Sequence, residues 1–371
     1  MSLQMSVFST SARRAPHPGQ VAGAEMGAPL ARPAPAQSVP QGGDIALGRR
    51  LRDWKTLAGF ALSAAIILIF VLTAHLNPGQ IWATVHTADG RYLALGLAVY
   101  FSAFLLRGLR WRLLLRRADL GAAVRLPALR GLVEMIFLSW FVNCLVPAKL
   151  GDAYRAYLLK QDTGADMGQT LGTVVGERMA DVLALVVLLL GSGLLILGDL
   201  TGAGGNLPLI LLLGAGLAGA IGGGVVALRL GAGPLAARLP ERRRIVFARF
   251  VTALLRTFQR DIQVPLYGLT GLIWAGEVVR IWLVLQSFHI TGLAPGVIIF
   301  TALAGSLLST IPFTPAGLGA VEGASVAILG AFGVATSLAG AVAVVDRVIN
   351  YWSNIPVGAV LYLAHRRRFR S

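Results

Sequence analysis

Residues 131–160 read GLVEMIFLSWFVNCLVPAKLGDAYRAYLLK, an apolar stretch interrupted at its centre by Pro147-Ala148-Lys149-Leu150-Gly151. If this stretch crossed a membrane once, Arg155 and Lys160 would be exported. The segment 229–260, with its eight Arg, would follow them. Basic residues stay on the cytoplasmic side of membrane proteins, so a single crossing is excluded. An even number of passes is required, as a re-entrant hairpin or a pair of short helices. Pro and Gly are tolerated at such a break where protein or water satisfies the freed backbone groups. A second apolar segment, 296–334, breaks in the same way at Pro315-Ala316-Gly317-Leu318-Gly319.

The rest of the chain fits this reading. Apolar residues make up 56% of its 371 positions and charged residues 13%, where a soluble domain carries about 25% charged. Mean hydropathy is +0.70. The net charge of +16 arises from 30 Arg and 3 Lys against 17 acids. These cations sit in short clusters between apolar runs, which marks orientation and not a nucleic-acid surface. Cys144 is the one cysteine, so no disulfide framework exists. The five His form no cluster with acids, and no Asp-x-Asp or nucleotide loop occurs, so neither a soluble catalytic domain nor a cofactor or metal is expected.

Full spans are predicted at 57–76, 92–115, 182–197, 207–230, 264–288 and 338–363. The fold class is therefore all-α and polytopic, with about six spans plus two broken hairpins. The outer loops then hold one basic residue, Arg91. Residues 1–48, rich in Ala, Pro, Gly and Ser, read as a disordered cytoplasmic tail without a signal peptide. One membrane domain covers 49–365, and 366–371 form a basic tail. Both termini are placed in the cytoplasm and the chain in the inner membrane.

The halves resemble each other. The two Pro-Ala-x-Leu-Gly breaks are 168 residues apart, and Glu177-Arg178 with Asp181 matches Asp346-Arg347 with Asn350 at 169. Arg107 to Arg110-Trp111 matches Glu277 to Arg280-Ile281-Trp282 at 170, more loosely. Under the predicted topology, repeat A (about 91–198) and repeat B (about 264–363) are inverted across the membrane. Inverted repeats with broken helices meeting near the midplane are a recurring transporter plan.

Glu177, Arg178, Asp181, Glu277, Arg280, Glu322, Asp346 and Arg347 lie in or near apolar spans. Each would cost about 2.5–3.5 kcal/mol if left unpaired at a helix centre, so all must pair or line a wet cavity. Glu177 and Asp181 share a helix face, as do Asp346 and Asn350, and Glu277 can meet Arg280. One reading is a cavity that binds an anionic headgroup through Arg178, Arg280 and Arg347, whose planar forks match phosphate. The other is a set of ion pairs locking helices together. Asn143, Asp152, Arg155 and Glu322 fit the same cavity, with Pro147, Pro315 and Gly319 at the breaks. Asn143 serves equally well as a backbone cap.

The stretch from Asn143 to Pro147, then Gly151-Asp152-Ala153-Tyr154-Arg155, Gly176-Glu177-Arg178 with Asp181, and Pro315 to Gly319 with Glu322 resembles the flippase-like membrane domain of lysylphosphatidylglycerol synthases. The resemblance covers about residues 55–365. It implies translocation of an anionic lipid or lipid-linked intermediate. The ligand would be a phospholipid or a polyprenyl- or hopanoid-type lipid, and the partner a second copy or a lipid-synthesis enzyme. Full synthases carry a soluble aminoacyl-transfer domain after the membrane part. That activity is not expected of a chain reaching Ser371. The alternatives are a membrane component of a glycosyl- or aminoacyl-transfer system and a non-transporting scaffold.

Overall fold

A computed structural model describes residues 77–120, 124–146, 149–199, 239–310 and 315–368, with isolated helical positions elsewhere. The tail 1–48, most of the spans at 57–76 and 207–230, and Pro147 with Ala148 lie outside the described residues. All regular structure in the described part is helical.

Helix α1 (Pro78–Val85) starts at Asn77, whose Oδ1 accepts from the Gly79 and Gln80 amides, with Pro78 at the first helical position. Helix α2 (Gly90–Arg117) is capped by Asp89 and ends on Arg116 and Arg117. After it come α3 (Leu129–Leu145), α4 (Leu150–Thr163), α5 (Met167–Asp199) and α6 (Glu241–Arg256). The last third holds α7 (Arg260–Ser287), α8 (Pro295–Thr310), a short 3-10 turn at Pro315–Gly317, and α9 (Ala320–Ala331). It closes with α10 (Thr336–Arg347), a π turn at Val348–Trp352, and α11 (Asn354–Arg368).

Three helices are long and apolar enough to span: α2, α7, and α5 over Met167–Ile196. Helix α5 starts well before the predicted span at 182, because its first half carries the polar face of Glu177, Arg178 and Asp181 that hydropathy alone discounts. The predicted span 338–363 is divided by the π turn, in which the Ser353 amide reaches back five residues to the Val348 carbonyl. Asn354 stabilises this turn by donating to the Asn350 carbonyl, while Tyr100 OH donates to the same carbonyl.

Both interrupted segments fold as two helices packed on each other, α3 on α4 and α8 on α9. Gly151 permits the first closure, since a Cβ there would lie 1.9 Å from the Ser139 carbonyl oxygen. Helices α2 and α7 pack antiparallel. Arg117 pairs with Asp261 at 2.5 Å at one end, and the Asp89 amide donates to the Ser287 carbonyl at 2.8 Å at the other. The arginine-rich α6 lies on α5 along Gly168, Gly172 and Gly176. A Cβ at 172 would come within 2.3 Å of the Phe250 carbonyl oxygen.

The packing of the two halves corresponds helix by helix. Helix α2 packs on α3 as α7 packs on α8, and α4 on α5 as α9 on α10. Across the halves, α3 packs on α11 and α8 on α5.

Candidate functional site: a cationic cavity between two helical hairpins

The two breaks share a left-handed third residue, whereas at the fifth position Gly319 has φ of 89° and Gly151 is helical. Lys149 and Gly317, each third in its Pro-Ala-x-Leu-Gly motif, have φ of 55° and 72°. Glycine adopts this left-handed conformation freely, whereas at Lys149 it costs about 1–2 kcal/mol. At the fifth position the Gly151 amide donates to Asn143 Oδ1 at 2.8 Å, and the Gly319 amide to Glu322 Oε2 at 2.7 Å. Asn143 is thus a backbone cap whose side chain also reaches the cavity wall.

An arginine clamps each hairpin through the first turn of its second helix. Arg178 donates from Nε and Nη2 to both oxygens of Asp152, each at 3.0 Å. Arg347 donates from Nε to Glu322 at 2.8 Å and from Nη2 to the carbonyls of Ala316 and Gly317 at 3.2 and 3.1 Å.

Two further ion-pair groups lie alongside. Arg110, 1% exposed, donates to Asp181 at 2.5 and 3.0 Å, to Glu177 at 2.7 Å and to Thr270 at 2.9 Å. Arg155 pairs with the other oxygen of Glu177 at 3.1 Å and stacks its guanidinium 4.6 Å from the centre of the Trp111 ring. In the other half, Glu277 accepts from Arg107 at 3.0 Å and from Arg280 at 2.9 and 3.2 Å. Arg280 also pairs with Asp346, which accepts from Asn350 at 2.8 Å. The pair Arg110–Glu177 corresponds in sequence to Arg280–Asp346, and Arg178 to Arg347.

These groups surround a cavity of about 120 Å³ that touches α2, α3, α5, α7, α8, α9, α10, the π turn and both breaks. Six cations line it: Arg107, Arg110, Lys149, Arg178, Arg280 and Arg347. Three carboxylates, Asp181, Glu277 and Asp346, face them. Asp152, Glu177 and Glu322 are not on the wall but hold arginines that are, while Arg155 and Gly319 stand one step further back, bonded to Glu177 and Glu322. Pro315 begins the 3-10 turn, and its side chain, like all of Pro147, lies outside the described residues.

Every charge flagged in the sequence therefore has a partner, but neighbours in sequence are not always partners. Glu177 and Arg178 diverge by about 100° around α5 and pair with different helices. Sequence reasoning left Arg107 and Arg110 in a flanking basic cluster. Their signal was the match to Glu277 and Arg280 in the other half. Lys149, Trp111 and Trp140 gave none beyond their neighbourhood. Trp140 lies 4.5 Å from the Arg107 guanidinium carbon.

Residues 56–358 match the model of the lysylphosphatidylglycerol synthase transmembrane region. The chain belongs to this family. It is 33% identical over 231 residues to a UPF0104 membrane protein of Methanocaldococcus jannaschii, covering 60% of this chain and 93% of that one. A UPF0104 membrane protein of Methanothermobacter thermautotrophicus is 27% identical over 329 residues, covering 82% and 93%. A protein named glycosyltransferase AglD, from Haloferax volcanii, is 27% identical over 333 residues. That match covers 79% of this chain but only 51% of AglD. The protein is thus a membrane domain of a membrane-protein family.

Proposed function

We propose that this domain moves an anionic lipid, or a lipid-linked intermediate, between the leaflets of its membrane, with the headgroup passing through the cavity between the hairpin tips. One observation carries the reading: six cationic side chains face three carboxylates on one cavity wall inside an apolar helical bundle. Such charges are expensive in a membrane and mark pathways for polar cargo. A headgroup phosphate competes with Asp152 for the Arg178 fork and with Glu322 for Arg347, because phosphate and carboxylate offer the same bidentate geometry. Binding thereby loosens each hairpin from its clamp.

The two halves act as inverted repeats. In support, α3 and α4 begin and end near the arginine-rich end, where Arg249 pairs with Asp166 just past Thr163. Helix α8 starts beside Leu195 and Ile196, at the far end of α5. The inner membrane, with both termini cytoplasmic, is the orientation that this arginine distribution favours.

Purified protein in liposomes tests the function. Movement of a fluorescent anionic phospholipid to the opposite leaflet should accelerate over protein-free vesicles, and Arg280→Gln should abolish the acceleration. Equal rates with and without wild-type protein overturn the reading. A second reading, the membrane part of a lipid-linked glycosyl-transfer system, draws on the likeness to AglD. It predicts lipid binding without leaflet exchange.

A further inference from the structure

We propose that Lys149, at the tip of the first hairpin, is a residue that binds the phosphate of the cargo, a contact for which the tip of the second hairpin has no side chain. The inference deepens the translocation reading and rests on it for the lipid nature of the ligand. Six arginines of the cluster each have a carboxylate partner: Arg107, Arg110, Arg155, Arg178, Arg280 and Arg347. Lys149 lines the same cavity and has no ion-pair or hydrogen-bond partner for its ammonium among the described residues. The nearby carboxylates of Asp152 and Asp181 are already engaged by Arg178 and Arg110, so a ligand anion supplies the direct partner that the ammonium lacks.

A second group points the same way. Arg107 is 6% exposed and lines the cavity, yet its Nη1 has no hydrogen-bond partner among the described residues. Among the cations that line the cavity, the Lys149 ammonium thus stands with two guanidinium nitrogens, Arg107 Nη1 and Arg110 Nε, as donors without a hydrogen-bond partner among the described residues.

The halves differ at this point. The residue matching Lys149 is Gly317, whose carbonyl is already bonded by Arg347. Arg178 gives both its bonds to Asp152 instead. A lysine held in a backbone conformation that its counterpart fills with glycine is kept for its side chain. The recognised chemistry is a phosphate, esterified in a lipid or free.

Lys149→Gly gives the first tip the residue of the second and removes backbone strain, so it should fold at least as well as wild type. Binding of dioctanoyl phosphatidic acid to the detergent-purified chain is measured by titration calorimetry, with dioctanoyl phosphatidylcholine and inorganic phosphate as comparisons. Wild type should bind phosphatidic acid, and Lys149→Gly should weaken binding by about tenfold to a hundredfold. Lys149→Arg should restore most of it. Displacement of the lipid by inorganic phosphate assigns the site to the phosphate alone. Retained lipid binding in its presence assigns the site to the whole headgroup, and both support the proposal. Unchanged affinity in Lys149→Gly with unchanged thermal stability overturns it, as does equal affinity for phosphatidylcholine or no binding of phosphatidic acid by wild type. Leaflet exchange separates the two ideas. Lysine-dependent binding without exchange leaves this site standing and removes the translocation reading. Exchange at wild-type rate in Lys149→Gly does the reverse.

Discussion

Arg178 and Arg347 occupy matching positions in the two halves, yet their removal should have unequal effects. Arg178 makes two hydrogen bonds to Asp152 and a longer ion pair, 3.6 Å, to Asp181, and its side chain is 29% exposed. For Arg178→Gln we expect a loss of about 1–2 kcal/mol, between the values for hydrated and buried ion pairs. Arg347 is 6% exposed in its side chain and joins three groups: Glu322 and the carbonyls of Ala316 and Gly317. Arg347→Gln leaves a largely buried carboxylate and two tip carbonyls without that donor, so a loss of about 3–5 kcal/mol is expected. Unfolding by SDS titration in mixed micelles gives both values on one scale. The partners add a second readout. Asp152→Asn should recover most of the stability lost in Arg178→Gln. Glu322→Gln should recover little in Arg347→Gln, because the carbonyls stay unbonded and the cap on the Gly319 amide is weakened. Equal losses for the two arginines, or a greater loss at Arg178, would refute the reasoning.

Gly151→Ala should prevent the first hairpin from closing, whereas Gly191→Ala, where an added Cβ meets nothing within 4 Å, should be silent; detergent-solubilised yield and gel-filtration profile separate them. Glu177→Gln leaves Arg110 and Arg155 short of a counter-charge and should cost about 3–5 kcal/mol. Adding Arg178→Gln should not restore that stability in thermal unfolding, since the two residues serve different partners; restoration would overturn the assignment of pairs. Ile245→Cys, on the exposed face of α6, should resist an impermeant thiol reagent applied to intact cells and react once the membrane is opened. Labelling in intact cells would reverse the orientation.

The sequence made the two hairpins legible because Pro and Gly inside an apolar run admit few structures, and the arginine distribution excluded the simplest one. Cavity residues were legible where a charge interrupted a run, as at Glu277 and Arg347. Arg107 and Arg110 were hidden by their company. Next to Arg112, Arg116 and Arg117 they look like a basic flank, and only the facing α7 and α5 turn them into buried partners of Glu277, Glu177 and Asp181. The π turn at Val348–Trp352 was illegible, since a one-residue change in hydrogen-bond register leaves the hydropathy of a helix unaltered. Lys149 was visible as a residue but not as an unpaired charge, because absence of a partner is a property of three-dimensional neighbours.

The contact between Arg107 and Glu277 bears on how such a chain arose. The two residues stand at matching positions, 170 apart, and face each other. In an ancestral dimer of identical half-length chains, a two-fold axis would bring each such position against its own copy. Arginine would meet arginine, or glutamate would meet glutamate. Opposite charges at that spot require two copies free to mutate separately, which duplication of the gene provides. If the halves descend from one duplicated unit, the Arg107–Glu277 pair is younger than the duplication, and once established it ties the two halves to each other.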